Sequence, residues 1–329
     1  MKIITDINEC HRIIQNYKHS ILDSYGYKKI LNTHYDPDAY LFCVDDEDVI
    51  PLVVKNNLVT FFGGIQHNHA HILPNNKALL NDMLSYLKKE NYHFQLLSIN
   101  KDYHDLLEES NKYFDVPYPV EWHYKKVQHH DIENIIEASG KRMQKRLKFL
   151  RNRVQDYTFV TLSFVEFKAQ FSLLIEKHIS YFSERVKKTV WKDNEDLLFK
   201  LLTYFNKEEN LRIHLIKKKQ DNVGISVLIY NDEEMVFYFA SSLKSDNNDI
   251  SQIIYLDILE AAKKISTGTN IVQLNAMRGT TINKKRFGFT PAPLYALVKD
   301  ANWIIQADGD IDPDLYESIY GRSSWGRTE

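Results

Sequence analysis

The chain has 329 residues, with 42 Lys and Arg against 44 Asp and Glu and a formal net charge of −2. That balance excludes a global pull towards nucleic acid or an anionic membrane and leaves only local patches. Hydrophobic residues at 43%, with only 11 Gly and 8 Pro, exclude a disordered chain and fit a globular protein with room for two domains. Two cysteines, Cys10 and Cys43, cannot build a disulfide framework or a Cys-rich zinc site and read as free thiols of a reducing compartment. The first residues meet charge too early for a signal peptide, and no run approaches the roughly 18 apolar residues of a membrane span. The expectation is a soluble, cytoplasmic protein.

Ile7, Ile13, Ile14 and Tyr17 predict an amphipathic helix over Asn8–Tyr17. A turn at His34–Pro37 leads into a strand, Ala39–Val44, an acidic turn, Asp45–Asp48, and a returning strand, Val49–Lys55. The short strand Leu58–Phe62 stops at Gly63-Gly64. Next comes His67-x-His69-x-His71, which if extended carries three imidazoles on one face, as a metal site could. No carboxylate lies nearby, and Asn68, Pro74 and Asn75 read as a loop, so no metal is expected. Leu79, Leu80, Met83, Leu84 and Leu87 predict a helix over Asn76–Glu90, followed by a strand over Phe94–Ile99 and a helix over Lys101–Asn111. Pro117 and Pro119 hold Asp115–Tyr124 extended.

From Asp131 the pattern is helical again, and Lys141–Arg153 is densely basic. Such a run is either a solvated helix face or a face beside an anionic ligand. A strand (Tyr157–Leu162), a helix carrying His178 (Val165–Phe182) and a second helix (Glu195–Phe205) follow. Then come strands at Leu211–Lys217, Gly224–Tyr230 and Met235–Ser241, a polar loop to Asp249, a helix over Ile250–Ile265, and strands at Ile271–Leu274 and Leu294–Val298. Trp303–Ile305 extends the core, and Asp314–Tyr320 reads as a short helix. The acidic run from Asp308 fails as a calcium loop, because Pro313 stands where glycine is needed and Ile319 where glutamate is needed.

The second half runs helix, helix, strand, strand, strand, helix, strand, strand, and the first half is a shorter version of that order. The expected fold class is α/β (α+β): two tandem units, each a mixed, mainly antiparallel sheet flanked by helices. The expected boundaries are 1–125, a connecting basic helix 126–156, 157–307, and a tail 308–329.

Several features in order carry a family resemblance. They are the Ser139-Gly-Lys-Arg start of the basic helix with its Arg-Leu-x-x-Leu-Arg repeat, Ile175-Glu-Lys-His178 with Trp191 downstream, and Leu211-Arg-Ile-His-Leu-Ile. Gly224-Ile-Ser-Val-Leu-Ile then faces Met235-Val-Phe-Tyr-Phe-Ala, and Asn275-x-x-Arg-Gly precedes Lys284-x-Arg-Phe-Gly. This set resembles the FemAB-like branch of the GNAT acyltransferase superfamily, with two GNAT-like units in tandem. The resemblance implies an acyl donor in the C-terminal unit and an amine acceptor held towards the N-terminal one. Acyl-CoA or acetyl-CoA is the implied co-substrate; aminoacyl-tRNA is the alternative, although no coiled-coil arm is inserted here. A non-catalytic binding module for a metabolite or a partner is the third reading.

On that resemblance the donor lies beside Ala240, Ser241, Ser242 and Leu243, with Ser251, Gln252 and Arg278 also binding it. Lys284 stabilises developing negative charge or is a turn lysine. Asn275 orients the amine or ends a strand. His178 is a base or a packed residue, and Tyr238 and Tyr295 are candidate acids. His67, His69, Lys141 and Arg142 fall on the acceptor side. The pattern departs from the family at Asp246-Asn-Asn-Asp249, where a glycine-rich turn would let backbone approach a pyrophosphate.

Overall fold

Alternating β-branched and aromatic runs build strands here, and apolar residues recurring every three or four positions build helices, in two units of the same plan. The computed structural model describes residues 1–15, 21–45, 48–63, 76–100, 120–127, 141–183, 191–192, 194–232, 234–243, 249–265, 272–276, 287 and 289–299. Unit 1 comprises Met1–Glu121 with Ala292–Glu329, and unit 2 comprises Trp122–Pro291.

Unit 1 runs β1 (Lys2–Ile4), α1 (Ile7–Gln15), α2 (Tyr25–Tyr35), β2 (Ala39–Asp45), β3 (Asp48–Lys55), β4 (Leu58–Phe61), α3 (Lys77–Lys89) and β5 (His93–Asn100). Strands β1 to β4 pair antiparallel in sequence order. Asn56 and Asn57 supply the two positive φ angles of the tight β3–β4 turn. The chain then crosses over through α3, so β5 joins β4 in parallel. Leu79, Leu80, Met83, Leu84 and Leu87 of α3 are buried against Leu41, Ile50, Leu52 and Phe94 of the sheet. Asn76 caps α3: its Oδ1 accepts the Leu79 N–H at 3.0 Å, and its Nδ2 donates to Asp48 at 2.9 Å. Helix α2 was not expected. Gly26, Asn32 and Thr33 are weak helix formers, and burial of Tyr27, Leu31 and Tyr35 decides the conformation instead.

Unit 2 contains β6 (Val120–Val127), α4 (Lys141–Arg153), β7 (Tyr157–Leu162), α5 (Phe164–Ser183), α6 (Glu195–Lys207), β8 (Leu211–Lys218), β9 (Asp221–Tyr230), β10 (Glu234–Ser242), α7 (Ile250–Ile265) and β11 (Val272–Ala276). Strands β7 to β10 pair antiparallel, β11 joins β10 in parallel, and β6 closes antiparallel on β11. Ser163 and Glu166 form a reciprocal capping box at the start of α5, and these hydrogen bonds hold the Glu166 carboxyl below its usual range. Ile253, Ile254, Ile258 and Leu259 of α7 share a core with Leu147 and Leu150 of α4 and Leu228 of the sheet. The basic helix is therefore an element of unit 2, where a connector was expected.

The last strand of each unit differs from the sequence boundaries. β6 follows β5 in the chain yet pairs with β11, while β12 (Thr290–Lys299) follows β11 yet pairs with β5. The units exchange their closing strands, which a strand's own residues do not announce. The expected elements over Lys101–Asn111, Trp303–Ile305 and Asp314–Tyr320 lie outside the described residues. Among the described residues no helix is long and apolar enough to cross a membrane.

Candidate active site

The parallel pair β10–β11 runs only from Glu234↔Gln273 to Phe237↔Ala276 among the described residues, while β10 continues along β9 to Ser242. A bulge interrupts the pairing of β10 with β9: Phe237 opposes Leu228, Phe239 opposes Val227, and Tyr238 is the extra residue. The bulge turns two consecutive side chains towards the α5 and α6 side. Tyr238 lies 6.1 Å from the Phe205 ring, and Phe239 lies 4.5 Å from the His178 ring.

Beyond the bulge, the Leu243 N–H bonds to the Val223 carbonyl at 2.9 Å. Antiparallel ladders alternate, so residues 241 and 239 also bond towards β9. The backbone groups of Ala240 and Ser242 therefore point to the side opposite β9. A carbonyl entering there would meet an N–H donor of the kind that stabilises an oxyanion.

The next helix begins a few residues later. The Asp249 carbonyl accepts the N–H groups of Gln252 and Ile253, each at 3.0 Å. Arg146 Nη2 donates to the Asp249 carboxylate at 2.6 Å, and Arg153 Nη1 lies 3.6 Å from it. Arg146 Nε also donates to Gln252 Oε1 at 3.1 Å. The two arginines are two turns apart on α4, with Phe149 between them; their guanidinium carbons stand 5.3 and 5.5 Å from its ring centre. The start of α7, where a ligand anion could meet backbone N–H groups, thus carries the chain's own carboxylate.

His178 is 3% exposed, and burial pushes its pKa down to about 3. A neutral imidazole of that kind accepts a proton poorly near pH 7. It packs on the bulge from α5, whereas α7 covers the opposite face.

A buried polar hub on the α7 face was missed in the sequence. His214 Nδ1 lies 2.8 Å from Asp257 Oδ2 and 3.0 Å from Oδ1, and Ser226 Oγ donates to Oδ2 at 2.9 Å. His214 and Ser226 are direct neighbours across β8 and β9, and Asp257 reaches them from α7. A lone Asp in the apolar stripe of a helix was the available signal.

The structure brings Ala240–Leu243, the first turn of α7 with Ser251 and Gln252, and helix α4 to the same end of unit 2. The Ser241 hydroxyl is buried and donates to the Ser242 carbonyl at 2.8 Å. Lys141 is exposed at the start of α4, with Arg142 next in the helix. Asn275 is paired on both sides, with Val236 and Tyr124, so its backbone belongs to the sheet rather than to the gap. His67, His69, Arg278 and Lys284 lie outside the described residues, as does the side chain of Tyr295. Cys10 and Cys43 are free and buried, and burial pushes their thiols up to about 11 and about 12, too high for a reactive thiolate. Among the described residues no group of three His, Cys, Asp or Glu side chains could hold a metal ion.

No family model matches the chain, and no curated protein matches it by sequence. Solved structures do match. FemX aligns at 10% identity with a TM-score of 0.57, covering 94% of this chain and 100% of that one. L-PGS from Bacillus licheniformis aligns at 11% identity and 0.55, covering 96% and 98%. An acetyltransferase of the GNAT family from Colwellia psychrerythraea aligns at 8% identity and 0.53, covering 91% and 100%. The tandem units and these likenesses together identify the fold as GNAT-like, of the FemAB-like kind.

Proposed function

We propose that this protein is an N-acyltransferase that passes an acyl group from acyl-CoA, acetyl-CoA included, to the amine of a small metabolite, amino sugar or amino acid. The observation that supports this most is the run of β10 beyond the Tyr238 bulge, where the Ala240 N–H points away from β9. An acyl carbonyl seated there accepts that hydrogen bond. The neutral amine attacks the carbonyl carbon, and the resulting oxyanion is held by the N–H. Collapse breaks the carbon–sulfur bond, leaving an amide and a thiolate that takes the proton lost by the amine nitrogen. In this reading Lys284 and Arg278 counter donor charge, Asn275 orients the acceptor, and His67, His69, Lys141 and Arg142 flank it. Thermal-shift titration with acetyl-CoA and longer acyl-CoAs tests the donor. A melting temperature that climbs with ligand concentration is expected, and no response to any of them removes acyl-CoA.

A second reading is favoured by one observation. Asp249, held by Arg146 and Arg153, stands at the helix start where a pyrophosphate would seek N–H groups. Aminoacyl-tRNA, the donor that the FemAB-like resemblance also admits, presents an ester and no pyrophosphate. A gel shift with total tRNA should then show salt-sensitive binding, and its absence removes this reading.

A further inference from the structure

We infer that the outer face of α4, together with the β8–β9 turn, docks on a lipid bilayer carrying acidic headgroups. The inference goes beyond acyl transfer and does not depend on it. Helix α4 buries Leu147 and Leu150 and leaves Lys145, Lys148, Phe149 and Arg151 exposed. The β8–β9 hairpin adds Lys217, Lys218 and Lys219 at the same end of unit 2. Three observations tie the two together. Lys217 and Lys218 pair with Thr158 and Tyr157, which begin β7 directly after α4. Lys218 Nζ stands 5.6 Å from the Tyr157 ring centre. Ile216 and Val223, which flank the hairpin, share their core cluster with Leu147 and Leu150.

The positive charge here is in surplus. Asp249 and Asp156 face Arg146 and Arg153, and Asp221 is the cross-strand neighbour of Lys218, three carboxylates among the more numerous basic side chains of the two elements. A chain of net charge −2 thus gathers basic side chains from two elements on one surface.

Phe149 decides between the polyanions that such a surface could meet. It is 44% exposed in the middle of the patch. Its ring is flanked by Arg146 from the turn before and Arg153 from the turn after, at 5.3 and 5.5 Å. A nucleic-acid base needs an open ring face for stacking, and guanidinium groups already lie over this ring. What remains outward is an apolar ring within a ring of cations. That arrangement suits the boundary between headgroups and acyl chains, where the ring enters and the cations meet phosphate. Each Lys or Arg brought to an acidic surface raises partitioning roughly five-fold.

The test is co-sedimentation of the full chain with two kinds of vesicle, phosphatidylcholine alone and an equimolar mixture with phosphatidylglycerol. The protein should pellet with the acidic vesicles and stay in solution with the neutral ones, and added salt should release it. Lys148→Glu with Lys218→Glu should abolish pelleting, while Lys148→Arg with Lys218→Arg keeps it; circular dichroism melts confirm that both pairs fold. Phe149→Ala should weaken pelleting several-fold and leave more sensitivity to salt. Equal pelleting with both vesicles, or none with either, overturns the inference. So does tight binding to total tRNA by a chain that ignores acidic vesicles.

Discussion

Units 1 and 2 run through the same elements, β1-α1-α2-β2-β3-β4-α3-β5 and β7-α5-α6-β8-β9-β10-α7-β11. In each, four antiparallel strands end in a parallel pair reached through a helix. The difference lies at that pair. β10 carries a bulge at Tyr238 against β9, whereas β4 pairs with β3 in unbroken register to Phe61. The helices differ as well. α3 starts on a neutral Asn cap and packs through an unbroken apolar stripe, while α7 starts on a carboxylate between two arginines and is tied to the sheet by a buried Asp. One plan therefore yields two copies that both bury polar groups, Lys28, Asn32 and Gln95 in unit 1 and His214, Ser226 and Asp257 in unit 2, and in unit 2 those groups tie the crossover helix to the sheet.

The comparison can be broken most sharply at Asp257. Asp257→Ala strands His214 and Ser226 and should destabilise unit 2 by roughly 3 kcal/mol, because a buried partner is left uncompensated. Hydrogen exchange should show faster opening of β8, β9 and α7 with unit 1 amides unmoved; equal loss in both units would dissolve the distinction. The next effect is on pH. His178 stays neutral in the folded state down to about 3, while the unfolded chain takes up a proton below its ordinary value of 6.5. Stability present above pH 6.5 is therefore lost as pH falls, by roughly 1.4 kcal/mol per unit. Denaturant melts between pH 7 and 5 should reveal a loss of about 2 kcal/mol, and His178→Leu should flatten that slope. Gly224→Ala comes third. A Cβ there would meet Ile250 at 3.1 Å and Ile216 at 3.4 Å, pressing on the first turn of α7 for a loss of about 1 to 2 kcal/mol by chemical denaturation. The smallest is Asn76→Ala, which removes the α3 cap for about 1 kcal/mol and should register in unit 1 only.

What was legible in the sequence followed periodicity. The span Ile250–Ile265 is the observed α7, and the apolar faces of α3 and α6 are the ones that their leucines announce. The FemAB-like order of elements was legible too, since it needs only the sequence of helices and strands. The bulge at Tyr238 was not, because no glycine marks it and its cause is the register with β9. Asp249 read as part of a loop without glycine, yet two arginines about a hundred residues upstream hold it. His214, Ser226 and Asp257 each look ordinary alone, and only the pairing of β8 with β9 beneath α7 brings them together.

The exchanged closing strands also set a timetable for synthesis. β5 emerges from the ribosome early, but the strand that pairs with its free edge is encoded after β11, near the other end of the chain. At roughly 5 to 20 residues per second, unit 1 waits about ten seconds or more with one sheet edge uncovered. Such long-range pairing is slow to form and exposes a template for other strands meanwhile. Cutting the chain between the units would not yield two smaller proteins. It would yield a first half lacking its β12 edge and a second half whose β12 has lost β5, so the two halves fold as one obligation.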